Sequence, residues 1–286
     1  MKYINALLSF LPDKPYIMLQ YYKNSHRLLN LKNPTRYNEK LQWMKLYDRN
    51  PLYTTLADKY LVKSYVANAI GERYVVPLLG VWDSPDEIDF SALPEQFVLK
   101  TNHDSRGLVI CKDKSKLDLD STRDFLRERL KHSGFAYGRE WPYKNIQRKI
   151  IADQYLEDEN GELPDYKVMC FNGEPKLIQL HRGRFTAEYT QDFYDTNWIR
   201  QNFNQVGCDG AAEPVSRPAF LDEMLEKSAV LAAGIPQVRV DWFYAKGQLF
   251  FGEMTFFDAS GYYEFVPDEI NEVLGSWITL PKTKRV

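Results

Sequence analysis

Apolar and polar residues alternate in two runs near the C-terminal end, Val238-Arg239-Val240-Asp241 and Gly252-Glu253-Met254-Thr255-Phe256. Successive side chains of a strand point to opposite faces. The alternation therefore predicts two adjacent β-strands with Arg239, Asp241, Glu253 and Thr255 on one face and Val238, Val240, Gly252 and Met254 on the other. Directly opposed residues of an antiparallel hairpin share a face, so an odd connection is needed to bring Asp241 and Glu253 together. A three-residue loop around Ala245 to Gln248, with Gly247 left-handed, meets that need, whereas a two-residue loop would separate the carboxylates. Aromatic residues on both flanks argue that this polar face is buried; the alternative is a hairpin whose charges face water.

Elsewhere the pattern is mixed. The first 90 or so residues read as mainly helical, with Leu61, Val62, Tyr65, Val66 and Ala69 at helical spacing before Gly71 and with Lys59 and Lys63 four apart on one face. Tyr74 to Val81, Gln96 to Lys100, Leu108 to Cys111 and Ile150 to Leu156 read as strands. Between the second and third lies a polar loop, Thr101 to Gly107. Asp120 to Lys131 is a charged amphipathic helix with Phe125, Leu126 and Leu130 inward. A turn at Glu159-Asn160-Gly161 leads into a strand from Asp165 to Phe171, and Asn172-Gly173 signals a hairpin into Pro175 to Leu180. Residues 181 to 218 are irregular and aromatic-rich, with a strand near Tyr189 to Tyr194. A helix over Phe220 to Ala233 closes at Gly234, and a last one puts Ile270, Val273, Leu274 and Trp277 on one face. Uneven alternation with frequent hairpins indicates an α+β fold.

Composition narrows the classes. A chain of 286 residues, 44% hydrophobic and 27% charged, suits one large or two modest soluble domains. Basic and acidic residues number 37 and 39, which leaves no nucleic-acid footprint. Cys111, Cys170 and Cys208 are scattered without metal spacing, as in a reducing compartment. No apolar run approaches the ~18 residues of a membrane span, so a cytoplasmic location is expected. The apolar start, Met1 to Leu11, leaves room for peripheral membrane contact.

Two carboxylates, a guanidinium and a hydroxyl on an otherwise apolar ribbon suit a divalent cation carrying phosphate oxygens. Lys100, at a strand end before a small polar loop, is placed to meet phosphate, although many such lysines only reach water. Asp153 at the end of its strand is a candidate for an adenine amine. Asp165 and Lys167 share a face and form either an ion pair or a ribose and phosphate contact. His181-Arg182-Gly183-Arg184 is either an anion-binding or a solvated loop. Asp118-Leu119-Asp120 reads as a solvated helix start.

In this order the pieces resemble the ATP-grasp superfamily and, within it, the TupA-like ATP-grasp proteins of bacterial surface-polysaccharide loci. The resemblance runs from about Asn33 to Pro281, beginning with Asn33-Pro34-Thr35-Arg36-Tyr37-Asn38-Glu39-Lys40-Leu41-Gln42-Trp43. It implies an ATP-grasp fold with a helical region at 1–90, a small subdomain with a phosphate loop at 91–156 and a C-terminal subdomain with the catalytic hairpin at 157–286. Asp58-Lys59 with Lys63, and Phe97 to Lys100, are similar to phosphate-contacting segments. Asn102, Ser105 and Gly107 then belong to the phosphate loop. Ile150 to Leu156, with Asp153 and Tyr155, looks like the adenine-binding hinge, Asp153 standing where the superfamily usually has Glu. Asp165 aligns with the ribose-side acid, and Lys167 is placed for phosphate or acceptor. Arg239, Asp241 and Glu253 match the catalytic set: the arginine for the acyl phosphate or tetrahedral intermediate, the acids for Mg2+. Thr255 stands where many relatives have Asn as a third metal ligand. Ser260-Gly261 resembles the turn that follows, so that Ser260, with His181, Arg182 and Arg184, becomes a substrate candidate.

The implied activity is an ATP- and Mg2+-dependent carboxylate–amine ligation through an acyl phosphate, joining a uronic acid of a surface polysaccharide or its precursor to a small amine. A kinase acting on a sugar hydroxyl, a glycosyltransferase and a nucleotide-binding partner protein are the alternatives. Residues 181 to 218 are the expected source of acceptor specificity.

Overall fold

Two antiparallel sheets set the architecture, and an N-terminal helical segment braces them. The computed structural model describes residues 10–158, 163–183, 186 and 188–284. The expected turn at Glu159-Asn160-Gly161 and the candidate Arg184 lie outside the described residues.

The described residues open with helices α1 (Asp13–Ser25), α2 (Tyr37–Tyr47), α3 (Leu52–Ala57) and α4 (Leu61–Ile70). Strands β1 (Leu78–Trp82), β2 (Phe97–Thr101) and β3 (Leu108–Cys111) follow, then helices α5 (Leu119–Lys131) and α6 (Gly134–Gly138) and strand β4 (Ile150–Gln154). These four strands form an antiparallel sheet in the order β1-β4-β2-β3. Because β1 pairs with β4, the sheet takes one of its strands from the first 90 residues. Asp118 caps α5 by accepting from the Ser121 amide at 3.0 Å, so the Asp118–Asp120 pair is a helix start. Leu126 of α5 packs with Phe97, Leu99 and Ile150. Phe125 departs from its expected inward position and is 38% exposed, because the helix buries only a narrow stripe against a small sheet.

The second sheet is larger. Strands β5 (Asp165–Phe171), β6 (Glu174–Arg182) and β7 (Thr190–Asp195), the short β8 (Asn204–Gln205), helix α7 (Leu221–Ala232) and strands β9 (Gln237–Ala245) and β10 (Gln248–Thr255) follow in the chain, and the sheet has the order β10-β9-β5-β6-β7. Helix α7 covers one face: Leu221, Met224 and Leu231 join Val168, Ile178, Val238, Val240 and Trp242 in the main core. Burying each such side chain contributes roughly 1.5–3 kcal/mol, and the Trp242 indole donates to the Ser228 hydroxyl at 2.8 Å, so no polar atom of that ring is stranded. A last strand β11 (Phe265–Val266) pairs with β8, and helix α8 (Ile270–Ser276) lies on α2. Leu274 is buried there, but Val273, expected on the same face, is 44% exposed.

The β9–β10 hairpin differs from the expectation in an instructive way. Gln248 pairs directly with Ala245, so the turn has two residues, Lys246 and Gly247, both at positive φ (51° and 78°) as a primed turn requires. Parity is restored by a bulge at Gly252, after which Glu253 pairs with Asp241, Met254 with Val240 and Thr255 with Arg239. The carboxylates thus share a face, as expected, but the odd residue is in the strand and not in the turn.

Candidate active site

The uncovered face of the large sheet, the small sheet and the start of α4 enclose one cleft. Two cavities of about 440 and 460 Å³ share Val76, Lys100, Leu108, Asp165 and Phe243 and so run together. The first is charged: Lys59, Lys63, Lys100, Lys167, Asp153, Asp165, Asp241 and Glu253 line it, with the segment from Asp104 to Gly107. The second is more apolar, with Val98, Ile110, Tyr155, Leu156 and Leu163 among its walls and His181 and Gly183 at its side.

Sheet register builds the charged wall. Asp241 sits between Glu253 on β10 and Lys167 on β5 as direct cross-strand neighbours. Lys167 Nζ lies 2.5 Å from Asp241 Oδ2 and 3.6 Å from Asp165 Oδ2. Arg239 embraces Asp241 in a two-pronged bond, Nε to Oδ1 at 2.7 Å and Nη2 to Oδ2 at 2.8 Å. Its Nη1 holds Asp258, and Nη2 also donates to the Thr255 hydroxyl at 3.2 Å. Burial alone would weaken the Arg239 charge, but Asp241, Asp258 and Glu253 raise its pKa well above the ordinary arginine value. For Glu253, burial would raise the carboxyl; Lys59, Lys167 and Arg239 outweigh it and hold it far below the usual carboxylate range. Asp258 is held low in the same way, against burial, by Arg239 and a 3.0 Å bond from Gln205.

The opposite wall presents cations from less regular positions. Lys59 lies in the turn before α4, not on the helix as the spacing with Lys63 suggested, and its Nζ crosses the cleft to Glu253 Oε2 at 2.9 Å. Lys63, on the first turn of α4, and Lys100, on β2, converge on Asp153, each at 3.0 Å. Burial lowers the Lys63 ammonium below its ordinary value, with Asp153 opposing. Asp153 is thus a counter-ion between two lysines in the charged half of the cleft. Tyr155, the other residue of the expected adenine hinge, lines the apolar half.

Other expected residues fall in different places. Ser105 and Gly107 line the cleft. Gly107 is tied by its carbonyl to the Thr101 amide at 2.8 Å, and a Cβ there would collide with the Thr101 hydroxyl. Asn102 is fully buried and structural: its amide donates to Asp58 Oδ1 at 3.0 Å and to the Gln147 carbonyl at 2.9 Å and accepts from the Lys149 amide at 2.8 Å. His181 lines the apolar cavity, but Arg182, next along β6, points to the other face and pairs with Asp192 at 3.6 Å. Ser260 turns away from the cleft: its hydroxyl donates to Glu140 at 2.5 Å and its carbonyl takes Lys45 Nζ at 2.6 Å. Sequence reasoning missed Asp258 and Gln205, which sit in irregular segments where no spacing marks them. The one available signal for Asp258 is its place just after β10.

The residues fit a magnesium nucleotide. Asp241 and Glu253 offer hard oxygen donors side by side. Among the described residues no group of three or more His, Cys, Asp or Glu could hold a metal unaided. A cation here would complete its shell with phosphate oxygens, as Mg2+ commonly does.

A protein-family model described as TupA-like ATPgrasp matches residues 39–279. No curated protein matches the chain. Among solved structures the chain is similar to D-alanine–D-alanine ligase from Bacillus anthracis complexed with ATP, at 14% identity and a TM-score of 0.42, over 70% of this chain and 55% of that one. It is also similar to the corresponding ligase from Helicobacter pylori, at 14% identity and 0.45, over 86% and 70%. A third is N5-carboxyaminoimidazole ribonucleotide synthetase from Thermus thermophilus, at 13% identity and 0.38, over 71% and 45%. The chain spans about half the length of the first of these. With the family match extending over most of its 286 residues, the chain belongs to the TupA-like ATP-grasp family.

Proposed function

We propose that the protein is an ATP-dependent carboxylate–amine ligase that forms an amide on a uronic acid of a bacterial surface polysaccharide or its precursor. The observation that carries this reading is the opposition, across one cleft, of Lys59, Lys63 and Lys100 to Asp241 and Glu253 backed by Arg239. ATP would lie with its base in the apolar half beside Tyr155 and its phosphates among the lysines. Bound Mg2+, held by Asp241 and Glu253, would neutralise charge on the transferring phosphoryl group. A substrate carboxylate oxygen attacks the γ-phosphorus, the bond to ADP breaks, and an acyl phosphate forms. An amine then adds to the acyl carbon, phosphate leaves, and the amine gives up a proton. Arg239, held by Asp241 and Asp258, would stabilise the negative oxygens of both steps. Domain limits near residues 90 and 156, a cytoplasmic location and acceptor selection by residues 181–218 belong to the same reading.

The test has two stages. Mg-ADP should raise the melting temperature in a concentration-dependent way, since a ligand that binds only the folded state stabilises it. ADP release should then require both a uronic acid and an amine. ADP release without an amine, and with a phosphorylated sugar as product, would favour a kinase; failure of Mg-ADP to bind would overturn the nucleotide site altogether.

A further inference from the structure

We infer that the outer face of α1 docks on an anionic bilayer surface. The helix is apolar on two sides. Its inner face buries Tyr16, Ile17 and Tyr21 against Leu46 and Tyr262. Its outer face carries Pro15, Met18, Leu19 and Tyr22 at i, i+3, i+4 and i+7, one continuous stripe, with Met18 41%, Leu19 43% and Tyr22 51% exposed. Phe10, before the helix, is 88% exposed and Leu28, beyond its end, 83%. Scattered apolar residues are ordinary on a protein surface; a contiguous stripe along one helix marks an interaction face.

Charge selects the partner. At about 100° per residue, Lys14 and Lys23 fall about a quarter turn to either side of the stripe, where long side chains lay their stems on apolar surface and present ammonium groups to acidic headgroups. Both are exposed. The helix has one acidic residue, Asp13, and its carboxylate is taken by Arg49 at 2.7 Å and Arg139 at 3.7 Å on the inner side. Arg27 is engaged by Asp268 and adds little. The outer face therefore combines an apolar stripe with a cationic rim and no opposing acid on the helix itself, which fits a lipid surface better than a second copy of the same cationic face.

The experiment is flotation of the full chain with vesicles of phosphatidylcholine alone or mixed with phosphatidylglycerol, at low and high salt. Binding is expected to the mixed vesicles and to weaken with salt. A Met18→Ser/Leu19→Ser/Tyr22→Ser variant should lose roughly tenfold or more in partition. Lys14→Gln/Lys23→Gln should lose roughly fivefold per lysine at low salt. Both variants should keep the wild-type melting temperature and Mg-ADP shift, so that lost binding is not lost folding. No binding by the wild type, equal binding to both vesicle types, or binding removed by deleting residues 1–9 but untouched by the α1 variants would overturn the assignment. So would a wild-type dimer in sedimentation that the triple variant abolishes.

Discussion

The two walls of the cleft hold their charges by different means. On the large sheet, Arg239, Asp241, Lys167 and Glu253 are cross-strand or same-strand neighbours, so pleat and register fix their spacing and each is paired within the sheet. On the opposing wall, Lys59 comes from a turn, Lys63 from a helix and Lys100 from a strand end, and Lys59 reaches across to borrow Glu253 from the sheet. One wall is organised in advance. The other holds its cations on exchangeable partners, which phosphate oxygens could replace while a metal takes over Glu253. The contrast teaches that mutations on the sheet should act on stability as well as turnover, whereas mutations on the facing wall should act mainly on ligand affinity.

Asp241→Asn should have the largest effect. The side chain is almost fully buried against two cations, and breaking such a pair from one side costs roughly 3–5 kcal/mol. Urea denaturation should show that loss along with abolished turnover; a stability unchanged from wild type would refute the account of the sheet as a pre-paired lattice. Glu253→Gln separates the two effects, because this carboxylate is half-buried and faces the cleft. Turnover should fall roughly a hundredfold or more with a smaller stability change. The pH dependence carries a sign. The folded-state pKa of Glu253 lies below the unfolded value of ~4.3, so its contribution is complete above that value and fades as pH falls through it. The stability gap between wild type and Glu253→Gln should therefore narrow on acidification below about pH 4; a gap that widens would contradict the assigned cations.

Lys100→Ala should be milder still for the fold. Its partner Asp153 retains Lys63, so little buried charge is orphaned. Nucleotide affinity should drop by roughly 1.5–3 kcal/mol, about ten- to a hundredfold, through loss of one charge-assisted bond. Calorimetric titration with Mg-ADP checks it, and undiminished affinity would remove Lys100 from the phosphate site.

What the sequence made legible follows from the same contrast. Alternation over Val238–Asp241 and Gly252–Phe256 exposed the charged face because a strand has a period of two and one face is apolar. Local turn chemistry revealed Asn172-Gly173, both at positive φ between β5 and β6. The partners of Asp153, Arg182 and Ser260 were not legible. Asp153 is claimed by two lysines from distant segments, Arg182 by an aspartate across the sheet, and Ser260 by Glu140 and Lys45. Such partners are chosen by tertiary packing, to which no short motif refers. Asp258 was hidden for the same reason: Ala259 and Ser260 adopt positive φ of 46° and 56° to carry the chain away after it, a conformation that propensity disfavours and that Lys45 and Gln42 hold through the Ser260 carbonyl.

The smallest effect tests how the sheet sets its own parity. Gly247 and Gly252 both serve the hairpin, for different reasons. Gly247 has φ +78° and no atom within 4 Å of the place a Cβ would take, so Gly247→Ala meets only the conformational penalty of roughly 1 kcal/mol. Gly252 forms the bulge, and a Cβ there would sit 3.0 Å from Phe243 Cε2 and 3.1 Å from the Asp241 carbonyl oxygen. The ring can yield by a few tenths of an ångström; the carbonyl is fixed by the strand that bears Asp241. Gly252→Ala should therefore lose roughly 1–2 kcal/mol by strain in a packed site and also reduce turnover, because the adjustment moves the backbone between the two carboxylates. Gly247→Ala should leave turnover intact. Equal turnover in the two variants, with both folded by circular dichroism, would show that the bulge sets the register without governing the geometry of Asp241 and Glu253.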